Sequence, residues 1–584
     1  MLNDIHHIFI VGIAGVAMAN IARILTQMGK HVEGSDIEAS FITDSVLSES
    51  NIKVMHSFQA DKLPHDIDLL IYAASHGGKQ NPQVVEAEQS NIPIIHQAEF
   101  LAMLLSHFNT SIGVAGCHGK TTTASLLAFA LAKLSADVSY MVGVSEFNHQ
   151  FGGEYGGNEY FVIEADEYGI DPPDNITPKF HLLKPDYSII TNIDYDHSDV
   201  YETLEDTKKA FKKYALQQLK TDIVLRQLVV CLDDKNIAEL LPSLPKESYI
   251  TYGTSKKADI QLSDIASTKK GTSFTISSDY FEITNAKVET SLFGEKNALN
   301  TTAVIACLLH IGFDMPEITQ AITDFTGAKR RFELLGEYDG ITLFDDYAHH
   351  PAEIAATIQA ARGRFPKQRI VVIFQPHTYS RTAQLADAFA EALSLADQTI
   401  LLPIFASARE SGEHQTISSE TIVNAINKKT GLITFHGPNL FGIHSLSLNS
   451  QQGISKYSKE YMLKALCNNN PIGIIKPIAK RIIIKKGKAE GILVGGNLDC
   501  IEKLCGLEYE SDFKNKIFFW EEIGDSIEDM DRNLTHLRLR GVFDKIRGMV
   551  IGHLEHCLIK GEHYKKFEKM IKEVTKKYDF PILK

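Results

Sequence analysis

Short apolar runs recur along most of this chain, each ending in a glycine-rich or acidic turn and followed by a segment with apolar residues at helical spacing. The first is IHHIFIVGIAGVAMANIARILTQMG, which reads as strand, tight turn and helix. A second strand ends in VEGSD, placing Asp36 about 20 residues beyond the glycines, the spacing of a nucleotide-binding crossover unit. A third, DLLIYAAS, completes a small α/β domain over residues 1–106. The pattern then restarts. SIGVAGC runs into the helix KTTTASLLAFALAKL, the strands EYFVIEA and YSIITNI follow, and TLEDTKKAFKKYALQQL returns as a helix. KADIQLSDIASTKKGTSFTISSDYFEIT alternates as strands on the rim of this second domain, residues 107–328. From residue 329 to about 425, ITLFDDY, RIVVIFQ and QTILLPIF predict a third α/β segment with strands between helices.

Composition sharpens this picture at two points. The chain has 584 residues, too many for one core, and a net charge of −14, which argues against a general nucleic-acid binder. That charge is unevenly spread. Residues 1–430 hold 34 Lys and Arg against 54 Asp and Glu, whereas residues 431–584 hold 25 against 19, so the sign reverses from −20 to +6. A reversal of this kind points to two pieces of different origin. No run of about 18 uninterrupted apolar residues predicts a membrane span, and the start lacks a charged-then-apolar leader pattern. Seven scattered cysteines without zinc-ligand spacing fit free thiols in a reducing cytoplasm.

The chemistry concentrates in GVAGCHGKTTTASLL. Amides of a glycine-rich turn at a helix start form a concave anion site, the lysine beyond it reaches β- and γ-phosphates, and the next hydroxyl can ligate Mg²⁺. Gly116, Gly119, Lys120 and Thr121 occupy those places, in a loop shorter than the usual phosphate-binding motif because position 114 is valine. FVIEADEY puts Glu164, Asp166 and Glu167 at the end of one apolar strand, and IITNIDYDHSD puts Asn192, Asp196 and His197 at the end of the next. Ligands of open α/β sheets bind at such strand ends.

Taken with VGIAGVAM, GEKNALN, GAKRRFE, DDYAHHPAEI and FQPHTYSRT in the same order, this set resembles the Mur ligase family over residues 1 to about 425. These enzymes use ATP to add amino acids to UDP-N-acetylmuramate. The motifs RRFE, DDYAHHP and FQPHTYSRT are most similar to the family branch that adds L-alanine. The resemblance implies a Rossmann-like UDP domain, a P-loop ATP domain and a Rossmann-like third domain, here lacking its end. It implies ATP and Mg²⁺ as cofactors, UDP-N-acetylmuramate and L-alanine as substrates, and no nucleic-acid or membrane partner. By resemblance, Lys120, Glu164, His197 and Arg331 carry catalysis, and Thr121, Glu164 and His197 hold the metal. Gly116, Gly119, Thr121, Thr122, Asn297, Arg331 and Asp346 would join Lys120 around ATP. Gly12, Gly15, Met18, Asp36 and Ser75 would line the UDP site, and His350, His377 and Arg381 would face the amino acid. Cys117 departs from the family's usual threonine. Out of context, Arg331 suits a surface ion pair and His349-His350 before Pro351 suits a turn cap.

The tail carries different motifs. GILVGGNLDCIEKLCG and KIFFWEEIGDSIEDMDRNLTHLRLRGVFDKIRGMVIGH resemble the C-terminal half of LD-carboxypeptidases, serine peptidases of murein, from about residue 425 onward. Glu521 matches the glutamate of that family's Ser-Glu-His triad. Its serine turn is missing upstream, where Ser418 and Ser419 stand, and its histidine has no counterpart. The tail is therefore not expected to hydrolyse peptides alone. Two incomplete pieces meet near Ile426, as in a joined reading frame, with a loosely packed seam expected at residues 410–440. Peptide hydrolysis by the tail, and a non-catalytic nucleotide-binding fusion, remain as alternatives.

Overall fold

A computed structural model describes residues 2–172, 174–197, 200–219, 227–268, 270–338, 340–405, 417–430, 435–436, 482–504, 511–523, 526–555, 557 and 562–584. Two compact units divide them, one holding residues 2–372 and 377–398, the other residues 373–376, 399–405 and the described residues from 417 onward.

The first unit begins with a five-stranded, all-parallel sheet ordered Lys53–Met55, His31–Ser35, His7–Val11, Leu69–Tyr72, Ile94–His96. The chain order reverses between His7–Val11 and Leu69–Tyr72, so the loops after these two strands diverge and leave a crevice at their C-terminal ends. Gly12 follows the first and Ser75 the second. Helix Val16–Gln27 covers one face through Ile21, Ile24 and Leu25, all fully buried. Its Asn20 donates to the carbonyls of Val142 and Val144 at 2.9 and 3.0 Å, and Arg23 pairs with Glu154 at 2.7 Å, fixing the first domain to the second.

A ten-stranded sheet organises the second domain, in the order Ile283–Thr290, Thr272–Ser278, Ile260–Ser267, Tyr249–Gly253, Leu228–Cys231, Tyr187–Ile190, Thr110–Ala115, Tyr160–Glu164, Val138–Phe147, Gln150–Glu154. Its centre is parallel and its rims antiparallel; the alternating stretch at 260–290 is the three-stranded rim. Against the centre lies helix Lys120–Lys133, buried continuously from Thr121 to Leu131. A helix apolar on every side belongs inside a core. Leu126, Leu127 and Leu131, each fully buried, contribute roughly 2–3 kcal/mol apiece.

The third segment departs from the sequence expectation. ITLFDDY was expected to open a strand–helix repeat, yet Ile341–Asp345 pairs antiparallel with Glu333–Tyr338 as a separate hairpin. Gly340, at φ +79°, takes the left-handed conformation that a tight hairpin turn calls for. Helices Pro351–Arg364 and Tyr379–Leu393 follow. Val371–Phe374, Gln398–Leu401 and Phe435–His436 form a three-stranded sheet in that order, the last pair parallel. This sheet therefore takes in a strand beyond residue 425. Of the seam expected at residues 410–440, residues 410–416, 431–434 and 437–440 lie outside the described residues.

The tail is a five-stranded sheet ordered Ile483–Lys485, Ile582–Leu583, Gly548–Glu555, Ile517–Ile523, Leu493–Asn497. Trp520 and Phe518, fully buried, pack with Met530, Leu534 and Leu537 of helix Ile527–Leu539 and with Phe567 and Ile571 of helix Glu562–Val574. No described helix is long and apolar enough to cross a membrane.

Candidate active site

Strand Thr110–Ala115 lies between Tyr160–Glu164 and Tyr187–Ile190, all three parallel. Residues leaving their C-terminal ends must therefore meet, which brings positions 116–121, 164–167 and 191–197 into one cleft. Gly116 has φ +134°, and a Cβ there would stand 2.0 Å from Thr191 Oγ1. Gly119, at φ +82°, caps helix Lys120–Lys133. The loop between them is held from behind. Asn192 accepts from the His118 amide at 2.9 Å and donates to the His118 carbonyl at 2.8 Å, while Thr191 donates to the same carbonyl at 2.7 Å. Cys117 donates its thiol to the Asp194 carbonyl at 3.1 Å. Burial pushes that thiol well up, so it stays a donor.

Lys120 folds back over the loop, donating to the Gly116 carbonyl and to Glu167 Oε2, each at 2.7 Å. Burial works against its charge, but Glu167 and Asp166 outweigh it and hold the ammonium above its ordinary range. Glu167 in turn lies 3.3 Å from His197 Nε2, at a turn where His197 takes φ +57°. Thr121 donates to Glu164 Oε2 at 3.1 Å, and the Gly143 amide donates to Glu164 Oε1 at 2.5 Å. Burial first, then the neighbouring Asp166, push the Glu164 carboxyl up to about 7. A buried acid held that high is one a cation would return to its charged form. A hydroxyl and a carboxylate 3.1 Å apart, beside an ammonium at a helix start, are the hard oxygen donors that fit Mg²⁺ with a nucleotide phosphate.

The third segment reaches this cleft through three side chains. Arg331 Nη2 lies 3.4 Å from Thr121 Oγ1, and its guanidinium sits 5.3 Å from the Tyr347 ring. Arg381, expected to face the amino acid, places Nη2 2.8 Å and Nε 3.2 Å from Asp196 Oδ1. Burial opposes the Asp196 charge, but His197 and Arg381 pull its carboxyl well below the carboxylate range. His350 caps helix Pro351–Arg364 by accepting from the Ala352 amide at 3.4 Å, and its ring stacks on His118 at 4.6 Å. His377 lies half-buried just before helix Tyr379–Leu393.

Other expected residues have local work. Asp346 accepts from the Phe332 and Ala348 amides, each at 2.8 Å, fixing the turn that carries Arg331. Asn297 donates to the Phe293 carbonyl at 2.8 Å and accepts from Asn300 at 3.3 Å. Thr122 is buried in the first turn of its helix. In the first domain, Asp36 Oδ2 accepts from the Ala14 amide at 2.8 Å, Gly12 takes φ +75°, and a Cβ on it would meet Ser75 Oγ at 3.3 Å. Gly15 is the N-cap of helix Val16–Gln27. Met18 points into the apolar core, 3% exposed, rather than onto the turn, because its helix face packs on the sheet. In the tail, Glu521 is buried at the C-terminal end of strand Ile517–Ile523, opposite Asn497. Ser419 is 1% exposed and donates to the Leu402 carbonyl at 2.6 Å, and thus serves a backbone group.

Five residues outside the expected site, Glu167, Asn300, His118, Asp194 and Glu353, also belong to this cleft. Glu167 was visible as an acid at a strand end, but only the fold shows it as Lys120's partner. Asn300 lies against Gly119, its Oδ1 2.9 Å from the point a Cβ on that glycine would occupy. His118 lies 3.3 Å from Asp194 and 3.5 Å from Glu353. Burial disfavours the His118 charge, yet Asp194 and Glu353 raise its pKa to about 10. An unfolded chain releases this proton near pH ~6.5. The stabilisation from His118 is therefore complete below that pH, declines as pH rises, and is gone above about 10. Melting temperature measured across this interval should fall with pH in the native chain and fall less in His118→Gln.

Comparison with known proteins fits this geometry. The Mur ligase family, catalytic domain, matches residues 7–109, the Mur ligase middle domain residues 114–308, and the Mur ligase, glutamate ligase domain, residues 330–446. The LD-carboxypeptidase C-terminal domain matches residues 490–584. The UDP-N-acetylmuramate–L-alanine ligase of Lactiplantibacillus plantarum is 38% identical over 427 residues, 73% of this chain and 90% of that protein. The ligase of the same name from Streptococcus suis is 35% identical over 79% of this chain and 98% of its own length. The crystal structure of UDP-N-acetylmuramate-alanine ligase from Thermotoga maritima superposes with a TM-score of 0.59 at 26% identity, covering 74% of this chain and 90% of that one. With its phosphate loop, acidic strand ends and relatives of nearly full length, this chain belongs to the Mur ligase family.

Proposed function

We propose that this chain is an ATP-dependent, ADP-forming ligase that joins L-alanine to UDP-N-acetylmuramate in the cytoplasm. The observation that carries the reading is the single cleft in which Lys120, Thr121, Glu164, Glu167 and His197 converge, in a chain 35–38% identical to ligases of that name. The lactyl carboxylate is a poor electrophile, so it first takes the γ-phosphoryl group of ATP, becoming an acyl phosphate. The alanine amine then attacks the acyl carbon, and the tetrahedral intermediate expels inorganic phosphate. Positioning and charge neutralisation supply most of the rate.

In this reading Lys120 leaves Glu167 to hold the transferring phosphoryl oxygens, and the loop amides from Gly116 to Gly119 cradle the β-phosphate. Thr121, Glu164 and His197 would hold Mg²⁺, which neutralises phosphate charge when bound. Arg331 would approach the same phosphoryl group. Asn297 and Asp346 would serve the adenosine end, and Thr122 would support the loop. Gly12, Gly15, Asp36 and Ser75 would surround the UDP group at the crevice of the first sheet, with Met18 shaping its floor from the core. His350 and His377 are assigned to the amino-acid side of the cleft. The UDP domain spans residues 1–106, the ATP domain 107–328 and the third ligase domain begins at 329. The tail resembles part of a murein peptidase, and Glu521 is its remnant triad acid.

Phosphate release by the purified chain should require ATP, UDP-N-acetylmuramate and L-alanine together. Release that proceeds with a murein tripeptide in place of L-alanine, or without the sugar nucleotide, contradicts the assignment.

A further inference from the structure

One cluster in the cleft joins His350, assigned above to the amino-acid side, to the side chains of His118 and Asp194, which the chemistry above does not use. His118 Nε2 is 3.3 Å from Asp194 Oδ2, and His350 Nδ1 is 3.9 Å from the same oxygen. One ligand atom from each of His118, Asp194 and His350 falls within 4.8 Å of the others. We propose that these three residues form a second divalent-cation site, separate from the nucleotide's Mg²⁺, for a borderline transition ion such as Zn²⁺.

Three observations carry this. The first is spacing. With bonds of about 2.0 Å, neighbouring ligands around a tetrahedral Zn²⁺ stand roughly 3.3 Å apart. His118 and Asp194 already have that separation, His350 Nδ1 stands 3.9 Å from Asp194, and no pair of the three ligand atoms is more than 4.8 Å apart. The second is the outer shell. The other nitrogen of His118, Nδ1, lies 3.5 Å from Glu353 Oε1, so a carboxylate orients the imidazole from behind, as it does for metal-bound histidines. The third is the state of His350. It is 5% exposed, its Nδ1 accepts the long 3.4 Å cap bond and stands 3.9 Å from Asp194, and its Nε2 has no hydrogen-bond partner among the described residues. A buried imidazole so weakly engaged has a lone pair to give.

Two imidazoles and one carboxylate select a borderline ion over Mg²⁺, which prefers oxygen. On binding, His118 gives its Nε2 proton to solvent, and the cation takes that proton's place between His118 and Asp194. His118 and Asp194 come from the phosphate loop and the following strand end, whereas His350 comes from the third segment. A bound ion would therefore tie the third segment to the loop.

The test uses the full chain, stripped with EDTA and free of nucleotide, titrated with Co²⁺ alone and followed by visible absorption and equilibrium dialysis. One Co²⁺ per chain is expected, displaced by Zn²⁺ and unmoved by a hundredfold excess of Mg²⁺. His350→Asn keeps a good helix cap and removes the imidazole. It should weaken Co²⁺ binding at least tenfold, as should Asp194→Asn, while His197→Ala leaves it unchanged. If either cluster variant loses its melting transition, the other supplies the result. Binding that is abolished by His197→Ala yet untouched by His350→Asn and Asp194→Asn, or the absence of a stoichiometric Co²⁺ complex, overturns the proposal.

Discussion

Lys120→Ala is expected to lower substrate-dependent phosphate release at least about a thousandfold, a loss of roughly 4 kcal/mol of transition-state stabilisation. The ammonium is 12% exposed and already bound to Glu167 and the Gly116 carbonyl, so it is pre-placed above the loop rather than recruited from solvent. Removing it also strands Glu167, 1% exposed, with His197 as its remaining ionic partner. The variant should therefore bind ATP more weakly as well as turn over more slowly. Lys120→Arg should not rescue it, because a planar guanidinium cannot occupy the space of a compact ammonium between two oxygens at 2.7 Å. Steady-state phosphate release together with ATP binding by calorimetry checks both parts. Turnover within tenfold of the native chain would remove Lys120 from the mechanism.

Gly116→Ala should abolish ATP binding while leaving UDP-N-acetylmuramate binding at the first domain intact. The reason is geometric. At φ +134° an alanine is strained by about 1–3 kcal/mol, and its methyl would stand 2.0 Å from Thr191 Oγ1. Relief of that overlap must move either the loop or Thr191, which anchors the His118 carbonyl at 2.7 Å. Either movement displaces the amides that face a phosphate. Thr191→Ala/Gly116→Ala should recover part of the binding, since it removes the hydroxyl that the new methyl meets. Calorimetric titration of each ligand separately distinguishes this local effect from general unfolding.

Much of this cleft is legible in the sequence because parallel sheets impose it. Apolar runs ending in Gly, Glu or Asn mark strand ends, and adjacent parallel strands deliver those ends to one edge. Glu164, His197 and Lys120 could thus be grouped without coordinates. Their pairing could not. Whether Lys120 meets Glu167 or Asp166 depends on which side of the strand end each carboxylate leaves, a rotation that neighbouring acids share ambiguously. Arg381 illustrates a second limit. The resemblance places it toward the amino acid, and the ion pair its guanidinium makes with the buried Asp196 is a contact the motif does not show. Phe435–His436 marks a third. A two-residue strand carries almost no periodicity, and it joins the third segment's sheet only through its pairing with Ile400 and Leu401. The apolar run ITLFDDY marks a strand but not its partner, so its antiparallel pairing with Glu333–Tyr338 is not legible in it.

The central claim is that the cleft activates a carboxylate by phosphorylating it. UDP-N-acetylmuramate labelled with ¹⁸O in its lactyl carboxylate tests this directly. Turned over with ATP and L-alanine, it should deliver one labelled oxygen to each inorganic phosphate formed, read by the isotope shift in phosphorus NMR. Unlabelled phosphate from a reaction that nonetheless forms the amide would contradict the account.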